Sequence, residues 1–135
     1  MTYTAARGPV DEEGQKLVML VDDDIEVLKS MMRLLEDHAS VKVALGAEAA
    51  LEHMDKAAAE GVAFDTVIVD FTMRGPNGAW LLRHVRDKYP DCERILVSGH
   101  SYMDLTNFLD PGLVQRFLEK PLDFDELIEA VSGDE

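Results

Sequence analysis

Polar side chains able to do chemistry stand at the ends of four apolar stretches of the chain. They are Asp22, Asp23 and Asp24 after the first stretch, then Asp70, Ser98 and Lys120 after three later ones. Taken singly, each has a structural explanation: Asp24 suits a helix cap, Ser98 a turn, and Lys120 the surface. As a set of acids, a hydroxyl and an ammonium group, they are harder to explain by structure alone.

The acids in this set predict a binding site for a hard divalent cation. If the apolar runs are neighbouring parallel strands, their ends lie about 5 Å apart, so Asp22, Asp23 and Asp70 converge. Like charges this close must share protons or bind a cation. A set of oxygen ligands without histidine or cysteine favours Mg²⁺ over zinc, with Mn²⁺ as a substitute.

The same set is suited to phosphoryl chemistry. A carboxylate can attack phosphorus and form an aspartyl-phosphate, and Asp70 is the candidate nucleophile. Charge on the phosphoryl oxygens must then be met from several sides, by a metal, a cation and a hydroxyl. Lys120 supplies the cation and Ser98 the hydroxyl.

Short apolar runs alternate five times with helical patterns along the chain. The runs have strand length and cover residues 17–21, 41–44, 66–69, 94–97 and 114–118. Apolar residues at spacings of three and four follow each run, which predicts helices starting near residues 25, 47, 81, 102 and 124, the fourth covering 102–109. Lys42 favours an edge position for the second strand, and the β-branched third run favours a central one. The pattern predicts a doubly wound α/β domain with a five-stranded parallel sheet.

Composition and charge exclude several classes of function. Thirteen basic against 27 acidic residues give a net charge of −14, which repels nucleic acids and anionic lipid surfaces. No apolar stretch approaches the roughly 20 residues needed to span a bilayer. Cys92 is the single cysteine, which favours a reducing compartment, and we expect a cytoplasmic protein. Residues 1–15 lack hydrophobic periodicity and are expected to form a flexible tail before one domain at 16–135.

The ordered set of residues resembles the response-regulator receiver domains of two-component signalling, over about residues 16 to 131. The resemblance implies a flavodoxin-like sheet of order 2-1-3-4-5 and gives each site residue a role. Asp22 and Asp23 are the acidic pair, Asp70 is the phosphoacceptor, and the backbone carbonyl of Thr72 completes the metal ligands. Ser98 and Phe117 are the switch residues, and Lys120 precedes Pro121 across a bond that is often cis in the family.

The function implied by the resemblance is a phosphorylation switch. A histidine kinase or a histidine phosphotransfer protein is the expected donor, and the face formed by the last two helices and the last strand is expected to change for partner binding. No effector domain is visible, so we expect output through a separate protein, through a phosphorylation-dependent homodimer, or by service as a phosphate relay or sink. The expected domain is not an enzyme beyond its own phosphorylation and dephosphorylation.

Two positions depart from the family pattern or modify it. Arg74 stands where relatives usually have proline, and it adds a positive charge near an acidic site. His100 lies two residues beyond Ser98, at a place that influences dephosphorylation in the family, although a solvent-facing loop histidine is the alternative. Both are candidate modulators of the phosphoryl lifetime.

Two other functions remain open from the sequence. A phosphohydrolase of the haloacid dehalogenase type also forms an aspartyl-phosphate, but its motif needs a second aspartate two residues after the acceptor, where this chain has Thr72. A pseudo-receiver that docks a partner without phosphorylation is the alternative from the binding class, and the complete acidic set argues against it.

Overall fold

The computed structural model of the chain describes residues 15–132 as one α/β unit. Its elements are β1 (Leu17–Val21), α1 (Ile25–Leu35), β2 (Ser40–Ala44), α2 (Ala47–Ala59), β3 (Thr66–Asp70), α3 (Gly78–Lys88), β4 (Glu93–Ser98), α4 (Tyr102–Leu105), a 3₁₀ turn (Thr106–Phe108), β5 (Arg116–Glu119) and α5 (Phe124–Ser132). The predicted tail lies outside the described residues except for Gln15. Helices long and apolar enough to cross a membrane are absent from the described range.

All five strands are parallel and lie in the order β2-β1-β3-β4-β5. The predicted flavodoxin-like topology is therefore confirmed, with β2 at an edge and β3 in the centre. The register pairs Val21 with Val69 and Asp70 with Val97, so Asp22 and Asp70 leave the sheet side by side. Ser98 pairs with Glu119, one residue before Lys120. The register thus delivers the candidate residues to the same carboxyl edge, where ligands bind in open parallel sheets.

Alternate residues of each strand build a separate core on each face of the sheet. Met19, Val67 and Leu96 face one core, which is closed by α2, α3 and the buried Leu105 of α4. Val18, Leu20 and Ile68 face the other, which is closed by α1 and α5. Strands covered on both sides need apolar residues at nearly every position, which explains the continuous apolar runs of β1, β3 and β4.

Side-chain caps start the helices that lead away from the carboxyl edge. The Asp24 carboxylate accepts from the backbone N–H groups of Glu26 and Val27 at the start of α1. Asp123 accepts from Asp125 and Glu126 at the start of α5. These bonds satisfy N–H groups that have no partner within the helix. The cap that the sequence suggests at Asp24 is confirmed, and Asp123 caps α5 in the same way.

The fourth helix is shorter than predicted. Residues 102–109 were expected to form one helix, but α4 has a single turn and continues only as the 3₁₀ turn. The Thr106 hydroxyl donates to the carbonyl of Met103, and β-branched Thr106 is a weak helix former. Pro111 also restricts Asp110 to extended conformations. The strand ends differ by smaller amounts: β4 includes Glu93 and Ser98, and β5 starts at Arg116 instead of Val114.

Candidate phosphoacceptor site

An ion pair between Asp70 and Lys120 lies at the centre of the candidate site. Lys120 Nζ is 3.0 Å from Asp70 Oδ1, and the Asp70 side chain is 10% exposed while that of Lys120 is 36% exposed. Asp70 is the last residue of β3, and Lys120 follows β5 with its backbone N–H bonded to the Ser98 carbonyl. The Lys120–Pro121 bond is cis, as the resemblance implied. The structure therefore brings a nearly buried carboxylate and an ammonium group from distant strands into direct contact.

Asp22 is a second buried carboxylate at this edge. Its Oδ1 accepts from the backbone N–H of Asp24 at 3.0 Å, which orients the side chain. Burial raises the pKa of Asp22, and the charges of Asp70 and Asp23 raise it further, while the Asp24 bond and the charge of Lys120 lower it. Asp22 is thus repelled by the carboxylates of both Asp70 and Asp23, in addition to the larger effect of its burial.

Asp23 is held by Arg74 from the loop after β3. Asp23 Oδ2 accepts from the Arg74 backbone N–H at 2.8 Å and from its Nε at 3.3 Å. The backbone hydrogen bond is the main reason that the pKa of Asp23 is lowered, and the guanidinium lowers it further. The sequence predicted a positive charge near the acidic site, but not this direct contact.

The chemistry of these residues fits a hard cation, although the geometry is not closed around one. Asp22, Asp23 and Asp70 all offer oxygen ligands, and a cation would relieve the repulsion from Asp70 and Asp23 that adds to the effect of burial on the pKa of Asp22. Between residues 15 and 132, no three His, Cys, Asp or Glu side chains lie close enough together to hold a metal ion. Asp23 Oδ2 is bonded instead to the backbone N–H and the Nε of Arg74. The ligand set with the Thr72 carbonyl stays a prediction.

Ser98 is buried at the end of β4, and His100 is exposed beyond it. The Ser98 Oγ accepts from the backbone N–H of His100 at 2.9 Å, so the hydroxyl forms a local turn. In this conformation the bond fixes the start of the loop between β4 and α4. The His100 side chain has the exposed position of a solvent-facing loop histidine.

Phe117 is partly buried on β5 and contacts the first residue of α4. Its ring packs edge-on against Tyr102, with centroids 5.3 Å apart and planes at 67°. This aromatic pair joins the fourth helix to the last strand. Tyr102 is 42% exposed, so one side of its ring is packed and the other is in water.

The loop from Phe71 to Asn77 is pressed against the end of β3. Phe71 donates from its N–H to the Val97 carbonyl, and Gly78 donates to the Phe71 carbonyl. A Cβ on Gly78 would lie 2.7 Å from the Asp70 carbonyl oxygen and 3.0 Å from Phe71 Cα. Only glycine fits so close an approach, and it lets α3 begin directly behind the phosphoacceptor candidate. The sequence showed this glycine only as part of a turn-rich loop.

The region after α4 is tied to α3 by contacts that sequence reasoning missed. Asp110 Oδ2 lies 3.0 Å from Arg86 Nη1 and 3.4 Å from Arg83 Nε. Arg83 also donates to the Phe108 carbonyl at 2.7 Å, and the Phe108 ring tilts against Phe71 with centroids 6.1 Å apart. Phe71 directly follows Asp70, so this segment touches the residue next to the candidate acceptor. The separation in sequence left no local signal for these contacts.

Comparison with known proteins identifies relatives over nearly the whole described range. The model of the family described as the response regulator receiver domain matches residues 18–132. The C4-dicarboxylate transport transcriptional regulatory protein DctD of Pseudomonas aeruginosa is 33% identical over 122 residues, covering 88% of this chain and 25% of that protein. The sensor kinase CckA of Brucella abortus is 31% identical, covering 90% of this chain and 13% of that protein. The chain thus spans a quarter or less of these relatives.

Solved structures show the same fold. The response regulator TrrA of Thermotoga maritima, in complex with Mg²⁺ and BeF, superimposes with a TM-score of 0.70 at 26% identity, covering 85% of this chain and 95% of that chain. A CheY-like receiver domain protein of Methanospirillum hungatei has a TM-score of 0.74 at 24% identity, covering 86% and 90% of the two chains, and bears on the fold alone. These likenesses agree with the observed strand order.

Proposed function

Because this chain belongs to the family of response regulator receiver domains of two-component systems, we propose that it accepts a phosphoryl group on Asp70 and passes the signal on by a change of shape. Receiver domains typically interact with histidine kinases or histidine phosphotransfer proteins. In our proposal the donor is a phosphohistidine of such a partner, and the reaction depends on Mg²⁺. The domain catalyses only its own phosphorylation and dephosphorylation.

The observation that carries this proposal is the contact between Lys120 and Asp70. A carboxylate that is 10% exposed and is repelled by the nearby Asp22 carboxylate is a poor place to add a phosphoryl group unless positive charge is nearby. The ammonium group 3.0 Å away supplies that charge as a compact donor with three N–H groups. After transfer, the same group is placed to contact an oxygen of the phosphoryl group.

In the proposed reaction a carboxylate oxygen of Asp70 forms the new bond to phosphorus as the bond from phosphorus to the donor nitrogen breaks. The electron pair of the broken bond stays on the imidazole. Asp22, Asp23, Asp70 and the Thr72 carbonyl would hold Mg²⁺, which would supply neutralising charge. Lys120 balances charge from the β5 side, and Ser98 offers its O–H proton, which is not used in the bond with His100 because Oγ is the acceptor there.

The proposed response is a shift between two packings of the face formed by α4, β5 and α5. Phe117 and Tyr102 lie on it as a packed pair, and Met103 beside them is 78% exposed. Either a protein effector or a second copy of the phosphorylated chain would bind there. We further propose a cytoplasmic location, because the single, free Cys92 suits a reducing compartment.

The test is labelling of the protein with radioactive acetyl phosphate in Mg²⁺. The wild type is expected to gain a hydroxylamine-sensitive label that Asp70→Asn lacks. Asp91→Asn is the matched control, because Asp91 is an exposed aspartate and the change removes the same charge. Undiminished labelling of Asp70→Asn would refute the assignment of the acceptor.

A docking module that works without phosphorylation is the second candidate. The specific observation in its favour is the engagement of Asp23 by Arg74, which keeps one acidic oxygen away from a cation. Beryllofluoride with Mg²⁺ mimics the phosphorylated state and separates the two functions. Spectral shifts of residues in α4 and β5 support the phosphoacceptor, whereas an unchanged amide spectrum supports the docking module.

A further inference from the structure

Arg74 makes two contacts with a single oxygen of Asp23. The backbone N–H and the side-chain Nε both donate to Oδ2, at 2.8 and 3.3 Å. The two residues are 51 positions apart in the sequence, so the contact joins the loop after β1 to the loop after β3. These two loops also line an open cleft, whose lining residues are Asp23, Asp24, Ile25, Thr72, Met73 and Arg74.

The Arg74 guanidinium stands on the water side of this contact. The Arg74 side chain is 88% exposed and that of Asp23 is 24% exposed. The guanidinium keeps its charge at every physiological pH, so it is a permanent cation tethered beside Asp23. Its exposure means that it can swing into solvent without any rearrangement of the core.

We propose that Arg74 competes with the divalent cation for Asp23 and so sets the affinity of the phosphoacceptor site for Mg²⁺. This inference rests on the proposed function, because it concerns the same acidic residues. Binding of the cation to Asp23 releases the Nε contact, and by linkage the Nε contact weakens binding of the cation by the same factor. The backbone N–H of Arg74 is not a charge and moves only with the loop.

The expected effect of Arg74 on the affinity for Mg²⁺ follows from the exposure of the Arg74–Asp23 ion pair. Exposed ion pairs are weak, and breaking one corresponds to a change of about two- to fivefold in a competing equilibrium. Salt screens such pairs, so the competition is expected to shrink as ionic strength rises towards 1 M, where the screening length is about 3 Å. A purely structural role of Arg74 would not produce this dependence on salt.

The experiment is a titration with Mg²⁺ alone, followed by calorimetry and by amide resonances at low ionic strength. The variants are Arg74→Ala, Arg74→Lys and the control Arg86→Ala. Arg86 also forms exposed ion pairs, with Asp87 and Asp110, so its removal changes the net charge equally without touching Asp23. In the wild type, the Nε resonance of Arg74 is expected to shift as Mg²⁺ saturates the site.

The expected result is a dissociation constant about two- to fivefold lower in Arg74→Ala than in Arg86→Ala, with Arg74→Lys between Arg74→Ala and the wild type. Equal constants in Arg74→Ala and Arg86→Ala would overturn the competition and leave the magnesium-dependent function intact. Absence of saturable Mg²⁺ binding in every variant would instead overturn the magnesium site and the competition together. The two failures are therefore distinguishable.

Discussion

Replacing Gly78 with alanine is expected to disturb the phosphoacceptor strand directly. Gly78 is the first residue of α3, and an added Cβ would lie 2.7 Å from the Asp70 carbonyl oxygen, 2.9 Å from Leu96 Cδ1 and 3.0 Å from Phe71 Cα. Two of these atoms belong to the backbone, so neither can rotate away. Either the end of β3 or the start of α3 must move.

The change in the free energy of unfolding caused by Gly78→Ala is the balance of two opposing effects. Forcing an extra methyl group into a packed site costs about 1–3 kcal/mol. Alanine has less backbone freedom to lose on folding than glycine, which restores at most about 1 kcal/mol. We therefore expect Gly78→Ala to lower the free energy of unfolding by about 1–2 kcal/mol. Because the moved atom is the carbonyl of Asp70, labelling by acetyl phosphate should slow as well.

Urea unfolding followed by circular dichroism measures the change in stability, and Gly99→Ala is the matched control. Gly99 lacks the positive φ that favours glycine, and a Cβ there meets no atom within 4 Å. Its replacement is expected to change stability by less than about 0.5 kcal/mol. If Gly78→Ala is as stable as the wild type, the close approach of α3 to β3 does not exist as described.

Three further predictions concern charge at the carboxyl edge. Asp22→Asn should stabilise the Mg²⁺-free protein at pH 7. The pKa of Asp22 is raised in the folded state, so ionising Asp22 costs more free energy there than in the unfolded chain. This destabilisation develops as the pH rises above the ordinary pKa of 3.8, and the substitution removes it. Urea unfolding at pH 3 and pH 7 checks the sign, since the gain should vanish at the lower pH. Lys120→Met should slow labelling by acetyl phosphate about 10- to 100-fold, which corresponds to the loss of one charge-assisted hydrogen bond. An unchanged labelling rate would show that Lys120 has no part in the mechanism. Asp24→Ala should lose about 1 kcal/mol of stability with its helix cap while labelling stays unchanged, as paired unfolding and labelling assays would show.

Local patterns in the sequence predicted those features that depend on neighbouring residues. The apolar runs predicted five strands because buried parallel strands need apolar side chains on both faces. Asp24 suggested a helix start because a carboxylate can bond the N–H groups two and three residues ahead. The prediction for the fourth helix was partly wrong, because it relied on the spacing of Leu105 and Leu109. It gave too little weight to the low helix propensity of Thr106 and to the restraint that Pro111 places on the residue before it.

The sequence by itself determined which chemical groups stand at the ends of the strands, and therefore that acids, a hydroxyl and a lysine meet at one edge once the sheet is parallel. Only the tertiary structure decided how those groups pair. Lys120 contacts Asp70, whereas Asp23 is hydrogen-bonded to Arg74, which lies 51 residues further along the chain. The physical reason is that the spacing of apolar residues along the chain determines where each strand ends and therefore which side chains follow it. The distance between the charges of Asp23 and Arg74 depends instead on how the loops after β1 and β3 pack against each other.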